Sequence, residues 1–164
     1  MTEESYIIDA KLLEFLESDA AILLSSADSA NEPAISRGYG ARVSDDCKQV
    51  TVFVTEQQSA TLLENVRQTG QLSLNATCVT SYESYQLKGI NASISELSPK
   101  NKHFIENYCN AFIASIEKVG LTNEVAQTLL QSRQTEKSLA ITFEVTGAYC
   151  QTPGPGAGEA RKQI

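Results

Sequence analysis

Histidine is the scarcest chemically active residue in this chain: His103 is the only one among 164 residues. One imidazole excludes any metal site built on two histidines of a single chain. The four cysteines, Cys47, Cys78, Cys109 and Cys150, are scattered and form no Cys-x-x-Cys pair. A zinc site wants closely spaced thiolates or imidazoles, so no metal is expected and the thiols read as free and reduced. Positive charge is short as well: 13 Lys and Arg stand against 20 Asp and Glu, a net charge of −7. Nucleic acid and anionic membranes need a basic surface, and neither is expected as a partner. No long apolar run exists. Ala20-Ala21-Ile22-Leu23-Leu24 is far too short to span a bilayer. Met1-Thr2-Glu3-Glu4 is acidic where a secretory signal needs positive charge. A cytoplasmic protein is expected.

What remains is an ordinary globular composition, 41% hydrophobic and 20% charged. The length suits one domain over residues 1–150, with an N-terminal helical segment in 1–18 and a tail at 151–164. Ile8 to Ser18 has the Leu12, Leu13 and Leu16 stripe of a helix. Ala20 to Ser26 is apolar on successive positions, as in a strand buried on both sides. The turn chemistry of Asp28 to Pro33 then sets up a hairpin with a strand at Ile35 to Val43. Val50, Val52 and Val54 alternate on one strand face, and Thr55-Glu56-Gln57-Gln58 reads as a capping box for the next helix. That helix buries Leu62, Leu63 and Val66 and stops at Gly70.

Leu72, Leu74 and Ala76 make a fourth strand. In the fifth, Ser84 to Leu97, the apolar phase changes at Gly89-Ile90, the signature of a β-bulge that bends a strand around a barrel. Ser98-Pro99 opens a helix with Phe104, Ile105, Tyr108, Phe112, Ile116 and Val119 as its stripe. A shorter helix is expected within Leu121 to Ser132. Leu139 to Val145 alternates as the sixth strand. The Pro-Gly run from Thr152 to Gly158 favours a flexible end, or else a flap over a cofactor groove. The expected architecture is α+β, mainly β: a small six-stranded antiparallel barrel with flanking helices.

Against the acidic background, Arg37, Arg42 and Lys88 fall on predicted strands. Cations and hydrogen-bonding groups on consecutive strands suit a flat, anionic cofactor, and solvated strand charges are the plain alternative. Arg37, Arg42, the Thr55 turn and Tyr85-Gln86-Leu87-Lys88-Gly89 together make the chain resemble the pyridoxamine-phosphate-oxidase-like FMN-binding split barrels, over about Ala20 to Cys150. The resemblance implies a split barrel, a homodimer, and FMN in a groove between subunits, acting on a small-molecule substrate. By that resemblance Arg37 would pair with the phosphate or a ring carbonyl and Arg42 would be a second contact. Thr55 would touch the flavin or its phosphate. Gln86 and Lys88 would reach the ligand or the dimer partner.

The departures bear on phosphate. The oxidases carry an arginine-lysine pair just inside the helix after the threonine; here Ala60-Thr61 stands there, leaving the Ser59 and Thr61 hydroxyls. Losing two charged hydrogen bonds costs ~3–6 kcal/mol, or ~10²–10⁴ in affinity. Glu56 in the same turn repels a phosphate. The oxidases also use a tryptophan near the C-terminus, and this chain has none. The resemblance is therefore to a divergent member rather than the oxidase itself. Haem is the alternative cofactor, with His103 as its axial ligand, and a cofactor-less dimeric stress or interaction protein is a third reading. No side chain stands out as a general acid or base.

Overall fold

The computed structural model describes residues 6–162. The acidic N-terminal residues 1–4 and the last two residues of the tail lie outside that range. The elements are α1 (Ala10–Leu16), β1 (Ala21–Ala27), β2 (Pro33–Gly38), β3 (Ala41–Val43), β4 (Gln49–Thr55), α2 (Ala60–Thr69), β5 (Leu72–Thr77), β6 (Ser84–Glu96), α3 (Pro99–Lys118), α4 (Asn123–Leu129), α5 (Gln131–Thr135) and β7 (Ser138–Cys150). All pairings between the strands are antiparallel, in the order β2-β1-β5-β6-β7-β4-β3.

The two ends of that order are consecutive in the chain, and this curls the sheet into a barrel. At the bend between β2 and β3, the Tyr39 N–H donates to Phe53 O (2.8 Å) and the Phe53 N–H donates to Gly40 O (3.3 Å). Seven strands replace the expected six because the stretch expected as one strand, 35–43, breaks at Gly40. Its φ of +99° is a left-handed conformation that only glycine adopts freely. A Cβ there would also press on Phe104 and Tyr108, so the missing side chain lets α3 close on the barrel.

The barrel interior is filled by Ile22, Leu24, Val50, Val52, Val54, Leu74, Leu87, Ile141 and Val145. β1 is not buried on both sides as expected. It alternates, with Ile22 and Leu24 inside and Leu23 48% exposed. Residues of β6 and β7 run past one another with two offsetting irregularities, between Lys88 and Gly89 and between Ile90 and Ser93. The first coincides with the phase change seen in the sequence. A Cβ at Gly89 would overlap the Phe143 ring, which is why the bulge sits there.

Helix α1 closes one end of the barrel through Leu12 and Leu16, with the Leu12 N–H donating to its N-cap Asp9 (2.9 Å). Helix α3 lies against the outside of β2, β3 and β4, where Phe104 meets Phe53 at 5.8 Å and the Tyr108 hydroxyl donates to Ala20 O (2.9 Å). Val119, expected on the stripe of α3, is exposed instead. Two short helices, α4 and α5, take the place of the one expected after Gly120.

The Pro-Gly stretch forms turns without helix or strand, yet it is tied down. It doubles back so that Tyr149 bridges Ala160 and the Arg161 N–H donates to Ala148 O (2.8 Å), covering β7 beyond the end of its pairing with β4. The Arg161 guanidinium lies over the Tyr85 ring at 4.8 Å and pairs with Asp9 at 2.5 Å. Burial opposes charge on Asp9, but the Leu12 N–H and Arg161 outweigh it and hold the carboxyl below its ordinary 3.8. A depressed carboxyl stabilises the fold above its unfolded value and loses that contribution as pH falls through the folded value. Arg161→Ala should therefore cost about 2 kcal/mol near neutrality, with the difference from the parent shrinking below pH ~4. Urea unfolding at both pH values checks this; an equal difference at each would overturn the ion-pair assignment.

Candidate functional site

The residues singled out in the sequence fall into three places, with Arg37 at the border of the second and third. The first is the turn leading into α2. Thr55 and Ser59 are buried there, and Thr61 is exposed on the helix. The capping expectation is corrected: the chain makes a full turn from Thr55, with the Ser59 N–H donating to Thr55 O (3.1 Å), before α2 begins. Ser59 is the N-cap residue but makes no capping bond, because its hydroxyl is shared with Ser36 at 2.6 Å. Thr55 Oγ1 donates to Gln58 Oε1 at 3.4 Å, which also accepts from the Tyr39 hydroxyl at 3.0 Å.

The main-chain N–H of Gln58, which faces the open end of this turn, donates to Glu136 Oε2 at 2.9 Å. A helix start favours an anion. Here the anion is the protein's own carboxylate, brought from the α5–β7 connection. With Glu56 in the same turn and the Thr55 and Ser59 hydroxyls engaged internally, only the exposed Thr61 hydroxyl remains, and these residues do not fit a cofactor phosphate. Nothing in the sequence around Glu136 signals this, since the contact joins positions 78 apart.

The second place is beneath α3. The Arg37 guanidinium sits 4.6 Å from the Phe112 ring centroid, and Arg42 sits 5.6 Å from Phe104. Arg42 Nη1 also donates to Asn101 Oδ1 at 3.4 Å. Both strand cations thus meet aromatic rings of the protein's own helix, contacts worth about 0.5–2 kcal/mol each. Arg37 Nε and Nη2 are buried there without a hydrogen-bond acceptor.

The third place is the outer face of β2, β1, β5, β6 and β7. One in-register row runs Arg37, Leu23, Asn75, Gln86, Tyr149; the next runs Ile35, Ser25, Ser73, Lys88, Gly147. Gln86 Oε1 accepts from Gln151 Nε2 (3.3 Å), and the Lys88 ammonium lies 5.1 Å from the Tyr149 ring centroid. Leu23 and Ile35 are 48% and 72% exposed on this face. Arg37 and Gln86 are three strands apart, about 14 Å, so the expected residues do not converge on one small group within a single chain. Asn75 and Tyr149 join this face without having been singled out in the sequence; their alternating positions in β5 and β7 were the available signal.

The comparisons bear on the same geometry. No protein-family model matches the chain, and no curated protein matches it. Solved structures do. HupZ from Group A Streptococcus aligns with a TM-score of 0.54 and 16% identity, covering 93% of this chain and all of that one. A Lactobacillus delbrueckii protein described as a candidate pyridoxamine 5'-phosphate oxidase aligns at 0.51 with 11% identity, covering 87% and 93%. The fold is the split barrel of the pyridoxamine 5'-phosphate oxidase-like proteins. HutZ, a haem storage protein from Vibrio cholerae, has this split barrel too, at a TM-score of 0.50 and 13% identity over 88% of this chain and 95% of that one. Among the described residues of this split barrel no group of His, Cys, Asp and Glu is placed to hold a metal. No described helix is long and apolar enough to cross a membrane.

One thiol has hydroxyl donors that favour its thiolate. Hydrogen bonds from the Ser81 and Thr80 hydroxyls bring the Cys78 pKa down to about 7, while burial pushes Cys109 up. A lowered pKa raises the thiolate fraction at neutral pH, so Cys78 should be alkylated by iodoacetamide with a midpoint near pH 7. Cys109 should stay unmodified in the folded protein. Timed quenching and mass spectrometry would read both; a Cys78 midpoint above 8, that of an ordinary thiol, would contradict the hydrogen-bonded geometry.

Proposed function

We propose that the chain is a homodimeric binding protein whose open sheet faces meet and seat a flat ring ligand of the flavin class. The carrying observation is the outer face of β1 and β2, where Leu23 and Ile35 stand exposed beside Asn75, Gln86, Lys88 and Tyr149. Exposed aliphatic residues ringed by polar ones mark a surface that another surface covers. A planar ring suits the same strip: aliphatic and aromatic side chains supply contact area, and Gln86 and Asn75 supply donors and acceptors for ring carbonyls and nitrogens. The split-barrel fold supports the reading, since its resemblance implies paired subunits with the cofactor between them.

The phosphate end of FMN is what this protein is least equipped to hold. Glu136 and Glu56 flank the α2 start, and Arg37 and Arg42 lie under α3. Recognition would rest on the ring. A bound flavin would supply the electron transfer, which makes an oxidoreductase acting on a small molecule the corresponding activity. The side chains on the face would orient the ring and exclude water.

Haem is the second reading, favoured by the structural similarity to HutZ and by the weak phosphate site. Against it, His103 is exposed on α3, 3.3 Å from Asn107, away from the open sheet face.

Riboflavin should bind within about threefold of FMN, whereas a gripped phosphate would separate them by ~10²–10⁴. Fluorescence titration with both ligands measures this, and a large preference for FMN would overturn the ring-based reading. A Soret band on adding haem, with no flavin uptake, would favour the second reading. Leu23→Asp should place a charge in the seam, shift sedimentation from dimer to monomer and weaken flavin binding at least tenfold. A parent protein that sediments as a monomer would remove the proposal.

A further inference from the structure

A second cavity of about 470 Å³ lies on another part of the barrel, between the start of α3, α5 and the ends of β6 and β7. It is lined by Glu96, Lys102, Glu106, Arg133, Glu136 and Lys137, together with apolar Leu97 and Ile105. It shares no residue with the open sheet face. It does touch the α2 start through Glu136, whose Oε2 is held by the Gln58 N–H.

Counted by sign the lining is balanced, but the charges are not equally free. Lys137 is paired with Glu96 at 2.6 Å. Glu136 has an oxygen engaged by a backbone N–H. Arg133 and Lys102 remain, opposed by Glu106 and by the charge that Glu136 keeps at the rim, and neither cation is in any ion pair among the described residues. Arg133 is half-buried, and its Nε is buried without an acceptor. A buried guanidinium N–H lacking an acceptor is costly, and an oxyanion is the group that satisfies it with the strongest geometry. In a chain of net charge −7, a cavity whose lining charges balance, with two cations outside any ion pair, is a local relief of the acidic background.

We infer that this cleft binds a small oxyanion, the carboxylate or phosphate of a compact metabolite, with Arg133 as its main contact and Lys102 as the second. Leu97 and Ile105 offer an apolar wall to a short carbon skeleton, and Glu106 disfavours ligands carrying more than one or two negative charges. Glu136 stands at the rim as a competing carboxylate. The cleft therefore has a built-in opponent, and removing its charge should tighten binding rather than weaken it.

The test is a titration of the full chain at low salt with succinate and, separately, inorganic phosphate, followed by backbone amide NMR shifts. Saturable shifts confined to 96–106 and 133–138 are expected with at least one of the two, and the tighter one identifies the oxyanion. Arg133→Met should weaken binding at least tenfold and Lys102→Ala about threefold. Glu136→Gln should strengthen it about threefold, a gain that damage to the fold would not produce. Shifts absent with both probes, shifts unchanged in Arg133→Met, or weaker binding in Glu136→Gln would each overturn the inference. Titration of the same samples with riboflavin, which carries no phosphate for the α2 start, reports on the open sheet face alone, so the two sites fail or stand separately.

Discussion

The pair of main-chain hydrogen bonds between the Tyr39–Gly40 bend and Phe53 closes this molecule. Without it β2 and β3 would be free edges at opposite ends of a sheet, each with unpaired N–H and C=O groups. With it, inward side chains of all the strands share one dry interior, and everything outside is divided in two. One part of the outer surface lies beneath α3; the other, over β1, β5, β6 and the start of β2, is open, with Leu23 and Ile35 exposed on it. A left-handed glycine makes that division possible, since any side chain at Gly40 would hold α3 away.

Charge is distributed to match. The cations of β2 and β3 are stacked on Phe112 and Phe104. The helix start that would otherwise attract a phosphate is satisfied by Glu136. The tail guanidinium is held between Asp9 and Tyr85. Most of the groups that the resemblance would set against a phosphate meet partners within the chain, although two buried N–H groups of Arg37 have no acceptor. What is left for a ligand is hydrogen bonding and contact area on the open face, the unsatisfied N–H groups of Arg37 at its edge, and two unpaired cations in the cleft beside α5.

Much of this was legible in order along the chain. The alternation of Val50, Val52 and Val54, the stop at Gly70, the Ser98-Pro99 helix start and the phase change at Gly89 each follow from rules that act over a few residues, and each stands in the structure. One error lay beyond the reach of local rules. β1 looked doubly buried because its composition is apolar throughout, yet nothing in a single strand says whether its second face has a cover. The Pro-Gly tail has a composition that forbids regular structure, and where it lies is decided by a few hydrogen bonds to the bare stretch of β7.

The site followed the same division. Arg37, Arg42, Thr55, Ser59, Thr61, Gln86 and Lys88 were chosen by residue type and strand position, and strand parity correctly set Gln86 and Lys88 on an outer face. Sequence by itself determined most of the elements and most of their inward faces, because periodicity and turn chemistry are local, and the family resemblance implied the split barrel. Only the tertiary structure decided which partner each charge meets: Phe112 lies 75 positions from Arg37, and Glu136 lies 78 from Gln58. Electrostatic and hydrogen-bonding choices are made through space, and distance along the chain carries no information about them until the barrel has closed.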